Sequence, residues 1–210
     1  MKLLSAAHLL KEVYNDPGAL DVDEQIDING VQAYVLKGGI LVIPGTNEFS
    51  DWFDFNFDVF DRDGSETHGF SVVSGDSGVK WHAGFLEHAQ YVYAFAKPQK
   101  LKLVIGHSLG AASAQIVGWS LGLPTIAFAS PKTCRGVSKL DGTDRVLNLC
   151  RSDDTVCHVP PGFLRFKHVG KTIWMNPKGI DFGEDHRIDE YIELMTDPRF
   201  EDKLPKTWPD

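Results

Sequence analysis

Apolar residues recur at Leu3, Leu4, Ala7 and Leu9 or Leu10, and this three-to-four spacing predicts an amphipathic helix at the start of the chain. Asn15-Asp16-Pro17-Gly18 stops it. Residues 19–30 are acidic and read as a surface excursion. From Val31 to Leu36 the pattern changes to alternation; Lys37-Gly38-Gly39 makes a tight turn, and Ile40 to Ile43 is a second apolar run, so the pair predicts an antiparallel hairpin. Residues 61–78 are rich in Gly, Ser and Asp, with a short strand over Phe70 to Val73. Helical spacing returns from Gly84 to Ala96 and ends at Lys97-Pro98.

Leu101 to Leu121 reads LKLVIGHSLGAASAQIVGWSL. Leu103-Val104-Ile105 predicts a buried strand, and Ala111, Ala112, Ala114, Ile116 and Val117 predict a helix with no proline before Pro124. Between them stands Gly106-His107-Ser108-Leu109-Gly110. A strand that turns at once into a helix leaves the residue at the turn exposed, with small neighbours because the two elements nearly touch. Ser108 is that residue, so it is the candidate nucleophile. His107 reads as a space-filling neighbour and His82 as a structural hydrogen-bond partner near the site.

After the helix, Thr125 to Ala129 and Arg145 to Cys150 predict two further strands. Phe166 to Gly170 and Thr172 to Met175 read as a hairpin, Asp185 to Met195 as a helix, and Thr196 to Asp210 as a loosely packed tail. The order helix, strand, nucleophile, helix, strand predicts an α/β fold: an α/β-hydrolase sheet, mixed but mostly parallel, flanked by helices, with an antiparallel hairpin near the N-terminus.

Composition narrows the function. The chain of 210 residues fits one domain, with 42% hydrophobic and 24% charged residues. A net charge of −8 and the lack of a basic stripe argue against a nucleic-acid partner. No run approaches 18 uncharged apolar residues, so no stable membrane insertion is expected. The opening residues lack a secretory pattern, which makes a cytoplasmic location the default expectation, although the mature part of a secreted protein would read alike. Three cysteines without a C-x-x-C spacing imply neither a disulfide framework nor zinc, and no histidine pair has the spacing of a metal site.

A serine nucleophile needs a base and an orienting carboxylate, and in this topology they follow in the order Ser, acid, His. Asp141 and Asp144 precede a strand; Asp153 and Asp154 follow one, at the carboxyl end where open α/β sheets place their chemistry. Asp181, Glu184 and Asp185 lie further on. Of the later histidines, His158 is too close to Asp154, His168 sits in an apparent hairpin, and His186 stands just before the last helix. His186 fits the base best.

These pieces together resemble the class 3, or fungal-type, triacylglycerol lipases. The matching stretches are Pro44-Gly45-Thr46 with Asp51-Trp52, His82-Ala83-Gly84-Phe85, Gly106 to Ala112, Ala127 to Pro131, Asp154 to Pro161, His168-Val169-Gly170, and Asp185-His186 ahead of Tyr191. The resemblance implies Asp154, in Asp154-Thr155-Val156, rather than Asp153 as the acid, and His186 as the base. It implies an oxyanion hole from the N–H groups of Leu109 and Thr46. It also implies a lid at residues 48–58, whose Phe49, Trp52, Phe53, Phe55 and Phe57 would face the acyl chain or form its pocket. The implied activity is acyl transfer from a carboxylic ester to water without cofactor, on an ester or lipid substrate at an oil–water interface. A short-chain carboxylesterase, a phospholipase A1 or a feruloyl esterase would use the same triad; a non-catalytic binding protein or an acyltransferase would share the fold. The resemblance departs in a chain shorter than secreted members ahead of residue 31, without their disulfides, and in Ala129-Ser130 where a glycine-bearing turn is common.

Overall fold

The computed structural model describes residues 1–46, 72–136, 140–179 and 186–209. The proposed lid, with Phe49, Trp52, Phe53, Phe55 and Phe57, lies outside the described residues, as do Asp181, Glu184 and Asp185.

The described residues build a seven-stranded sheet in the order β1 (Val22–Ile28), β2 (Val31–Leu36), β3 (Ile40–Ile43), β6 (Leu103–His107), β7 (Thr125–Phe128), β9 (Val146–Arg151) and β11 (Lys171–Met175). β1, β2 and β3 pair antiparallel; from β3 to β11 every neighbour is parallel. This is the mixed, mostly parallel sheet with an N-terminal hairpin that an α/β-hydrolase fold requires. A small antiparallel sheet joins β4 (Val72–Ser74), β5 (Lys80–His82), β8 (Cys134–Arg135) and β10 (Phe166–Lys167).

The alternation along each strand divides the core between the two faces. In β6, Val104 packs on one side, where helices α2 (Ala83–Ala96) and α3 (Leu109–Leu121) lie, while Leu103 and Ile105 face α1 (Leu3–Asn15) and α4 (Ile188–Thr196). In β3, Leu41 and Ile43 take the first side and Val42 the second. Because both faces are covered, the central strands are buried along their whole length and mostly apolar. Every residue of α3 from Leu109 to Gly118 is buried, and Gly110, Ala111, Ala112 and Ala114 keep its first turns slim against the sheet.

Four expectations are corrected. The acidic stretch before Val31 is not a surface excursion: Val22–Ile28 pairs with β2 as an edge strand. An edge strand needs little more than its backbone ladder; here only Val22 and Ile26 are half-buried, and charge on the strand discourages further pairing. Phe166–Lys167 and Lys171–Met175 are not a hairpin, since they join different sheets through β8 and β9. The C-terminal tail is docked rather than loose: Phe200 and Trp208 are buried, and Trp208 exchanges hydrogen bonds with Met1 at 2.8 and 2.9 Å. On α1 the buried side holds Leu3, Ala6, Ala7, Leu10 and Val13, whereas Leu4 is exposed. All three cysteines are free and buried.

Candidate active site

β6 ends at His107 and α3 begins at Leu109, so the whole change of direction falls on Ser108, at φ 59 and ψ −126. A non-glycine residue pays steric strain there and persists only where its surroundings fix it. The surroundings are tight because glycines stand on both sides. A Cβ on Gly106 would lie 2.7 Å from the Ala114 methyl, and one on Gly110 would strike the carbonyl oxygens of Ile43 and Pro44. The start of α3 is thereby pressed against the end of β3. A Cβ on Gly45 would stand 2.7 Å from the Ser108 Cβ, so the Gly45–Thr46 backbone passes directly beside the serine.

The Ser108 hydroxyl donates to His186 Nε2 at 2.6 Å. An ionised carboxylate can only accept, so His186 Nδ1 carries the ring proton and donates to Asp154 Oδ2 at 3.0 Å, with Oδ1 at 3.2 Å. Asp154 lies just past β9 and caps a short turn, Oδ1 accepting from the Val156 N–H at 2.9 Å. Tyr191 of α4 donates its hydroxyl to Oδ2 at 2.8 Å. Burial by itself would raise the Asp154 pKa; the hydrogen bonds from His186, Tyr191 and Val156 and the charge of His186 outweigh it and hold the carboxyl below the usual range. Asp153 turns elsewhere, to a two-pronged pair with Arg151 at 3.1 Å on each prong.

Leu109 is the first residue of α3, and the opening amides of a helix have no acceptor inside it. Thr46, half-buried, follows Gly45, whose backbone passes beside the serine. The structure brings Ser108, His186 and Asp154 into one hydrogen-bonded line, with Leu109 next to the serine in the chain and the Gly45–Thr46 backbone passing beside it.

His82, His107, His158 and His168 have other partners. His158 Nε2 donates to the Ser152 carbonyl at 2.9 Å, His168 Nε2 to that of Ser130 at 2.7 Å, and His82 Nδ1 caps α2 by accepting from Phe85 N at 3.4 Å. His107 is not a mere filler. Its Nδ1 meets the Tyr14 hydroxyl at 2.8 Å and its Nε2 meets the His186 carbonyl at 2.9 Å. Tyr14, Tyr191 and this use of His107 escaped the sequence reading; Tyr191 stood in the stretch after His186, but nothing around Tyr14 marks it. Among the described residues no group of three or more His, Cys, Asp or Glu could hold a metal ion, and no helix is long and apolar enough to cross a membrane.

No family model matches the chain, and no curated protein matches it in sequence. Solved structures do. The triacylglyceride lipase of Rhizomucor miehei superposes with a TM-score of 0.60 at 21% identity, covering 82% of this chain and 78% of that one. Lipase II of Rhizopus niveus gives 0.63 at 19% identity, covering 87% and 84%, and the lipase of Rhizopus microsporus var. chinensis 0.63 at 19%, covering 85% and 75%. At such identities the likeness establishes the fold: this chain has the α/β-hydrolase fold in the form these fungal lipases share.

Proposed function

We propose that the protein is a serine carboxylic-ester hydrolase, and within that class a lipase acting on acylglycerol esters. The observation that carries this reading is the unbroken hydrogen-bonded line from Ser108 Oγ through both nitrogens of His186 to Asp154, set on a strained strand-to-helix turn. Ser108 attacks the ester carbonyl as His186 takes its proton, and Asp154 holds the imidazole in the required tautomer and steadies its positive charge. The alkoxide of the tetrahedral intermediate is received by the N–H groups of Leu109 and Thr46, a contribution of about 10²–10³ in kcat per donor in enzymes of this kind. His186 then protonates the departing alcohol and activates water to release the acid. No step calls for a cofactor. The lipase assignment is supported by the fold likeness and by the aromatic segment 48–58, which begins two residues after Thr46 and would supply an apolar cover for an acyl chain.

Hydrolysis of p-nitrophenyl esters from acetate to palmitate, followed through the critical micelle concentration with Ser108→Ala alongside, tests both levels. A rise for long chains above that threshold, lost in the variant, supports a lipase. Saturation confined to short chains replaces it with a carboxylesterase, and the absence of any Ser108-dependent turnover removes the hydrolase reading.

A further inference from the structure

Two backbone segments must be held for the proposed chemistry, and neither lies within a regular element. Gly45 and Thr46 follow β3 beyond its last pair, Ile43 with Gly106. His186 stands in a turn two residues before α4. One line of hydrogen bonds joins them behind the nucleophile. The Gly45 N–H donates to the Tyr14 hydroxyl oxygen at 2.6 Å, Tyr14 meets His107 Nδ1 at 2.8 Å, and His107 Nε2 meets the His186 carbonyl at 2.9 Å.

The direction of this line follows from its ends. A carbonyl can only accept, so His107 Nε2 carries the hydrogen and donates. A neutral imidazole has one N–H, so Nδ1 is left as an acceptor and the Tyr14 O–H donates to it. The Tyr14 oxygen is then open to the Gly45 N–H. Every donor has an acceptor only in this arrangement. Burial and the neighbouring His186 lower the His107 pKa to about 3, which keeps the ring neutral. The rings stand edge to face, with centroids 5.6 Å apart, so packing holds the same geometry.

We propose that Tyr14 and His107 are positioning residues: they form a one-way hydrogen-bond relay that fixes the oxyanion backbone at Gly45–Thr46 and the backbone of His186 relative to each other across Ser108. The inference rests on the acyl-transfer reading. Neither residue touches the ester; each acts by setting where a proposed catalytic group points. A relay of this kind matters to the transition state far more than to substrate binding, because an error of about 1 Å in such groups costs up to about 10²-fold in rate.

The test combines kinetics with nitrogen-15 NMR of the full chain. Tyr14→Phe, which keeps the ring and removes the hydroxyl, lowers kcat about tenfold on a soluble p-nitrophenyl ester while KM stays within about twofold. His107→Asn, which removes the donor to His186, lowers it at least as far; His107→Gln, which can still offer an N–H at the Nε2 place, recovers part of the loss. The double variant Tyr14→Phe/His107→Asn falls no further than the worse single variant, since one line is cut twice. In the unmodified protein the His107 ring is the neutral Nε2–H tautomer from pH 5 to 8. An unchanged kcat in folded Tyr14→Phe, independent additive losses, a loss matching only the unfolded fraction in urea titration, or an Nδ1–H or charged ring overturns the relay. If the unmodified protein itself shows no Ser108-dependent turnover, the acyl-transfer reading fails first and the relay with it.

Discussion

The hydroxyl of Tyr191 donates to Oδ2 of Asp154 at 2.8 Å, and the Tyr191 oxygen in turn accepts from the Arg151 backbone N–H at 3.1 Å. Helix α4 thus braces the same carboxylate oxygen that His186 meets. Tyr191→Phe removes a donor from Asp154 and strands a buried N–H, so unfolding free energy should fall by about 1–3 kcal/mol. On the proposed mechanism kcat falls too, through a looser His186, while KM holds. Urea titration and steady-state kinetics on one preparation check both.

Neighbouring aspartates provide an internal control. Asp154 faces His186, whereas Asp153 is engaged by Arg151, with both side chains almost fully buried. Asp154→Asn should lower kcat by about 10⁴-fold with the fold kept, because the amide misplaces the imidazole proton. Asp153→Asn leaves the Arg151 charge short of a buried partner and should cost stability, about 3–5 kcal/mol at most, with a far smaller effect on kcat per folded molecule. Equal kinetic losses would remove the distinction.

Strain at Ser108 can be measured as stability. Its φ of 59 suits glycine and penalises any residue with a Cβ. Ser108→Ala and Ser108→Gly should both abolish turnover, yet the glycine variant should be the more stable by about 1 kcal/mol, the relieved strain exceeding the added chain entropy. Equal urea midpoints would show that the turn is relaxed.

Acid sensitivity follows from three buried histidines. Burial lowers His82 and His88 to about 4, and burial with the charge of His186 lowers His107 to about 3. Between the unfolded value near 6.5 and these folded values the unfolded chain binds more protons, so stability is full above about pH 6.5 and is lost as the pH falls. Each histidine contributes a slope of up to about 1.4 kcal/mol per pH unit in that window. His88 shows the strain most plainly: Nδ1 meets Ser113 at 2.6 Å, while Nε2 is buried with no partner among the described residues. Unfolding free energies measured from pH 7.5 to 4.5 should fall steeply, and His88→Gln should flatten the slope by about one third.

The nucleophile turn, the N-terminal hairpin and the parallel core were legible because each is encoded locally: alternation for a strand, three-to-four spacing for a helix, and glycines where two backbones meet. What escaped depends on distant partners. Phe166–Lys167 and Lys171–Met175 look like a hairpin around Gly170, but Gly170, at φ 87, sits against the Val146 carbonyl and turns the chain from one sheet to the other. Gln115 joins α3 to the loops beyond β7 and β10 by donating to Ser130 and Pro131 and accepting from Val169, a network no periodicity announces. Tyr14 contacts His107 across 93 positions of sequence, so its importance lies wholly in the folded chain. The choice of Asp154 over its neighbour was open to the residue pattern alone and turned on a resemblance.

The central claim is that His186 activates Ser108. An alkyl fluorophosphonate reports it directly: the activated oxygen attacks phosphorus, the P–F bond breaks, fluoride leaves, and the Ser108 proton passes to His186 and then to solvent. Mass spectrometry of the digested protein should find one adduct, on the peptide bearing Ser108, absent in Ser108→Ala and slowed by at least about 10³-fold in His186→Asn. No adduct, an adduct on another residue, or labelling of Ser108 at the same rate without His186 would contradict it.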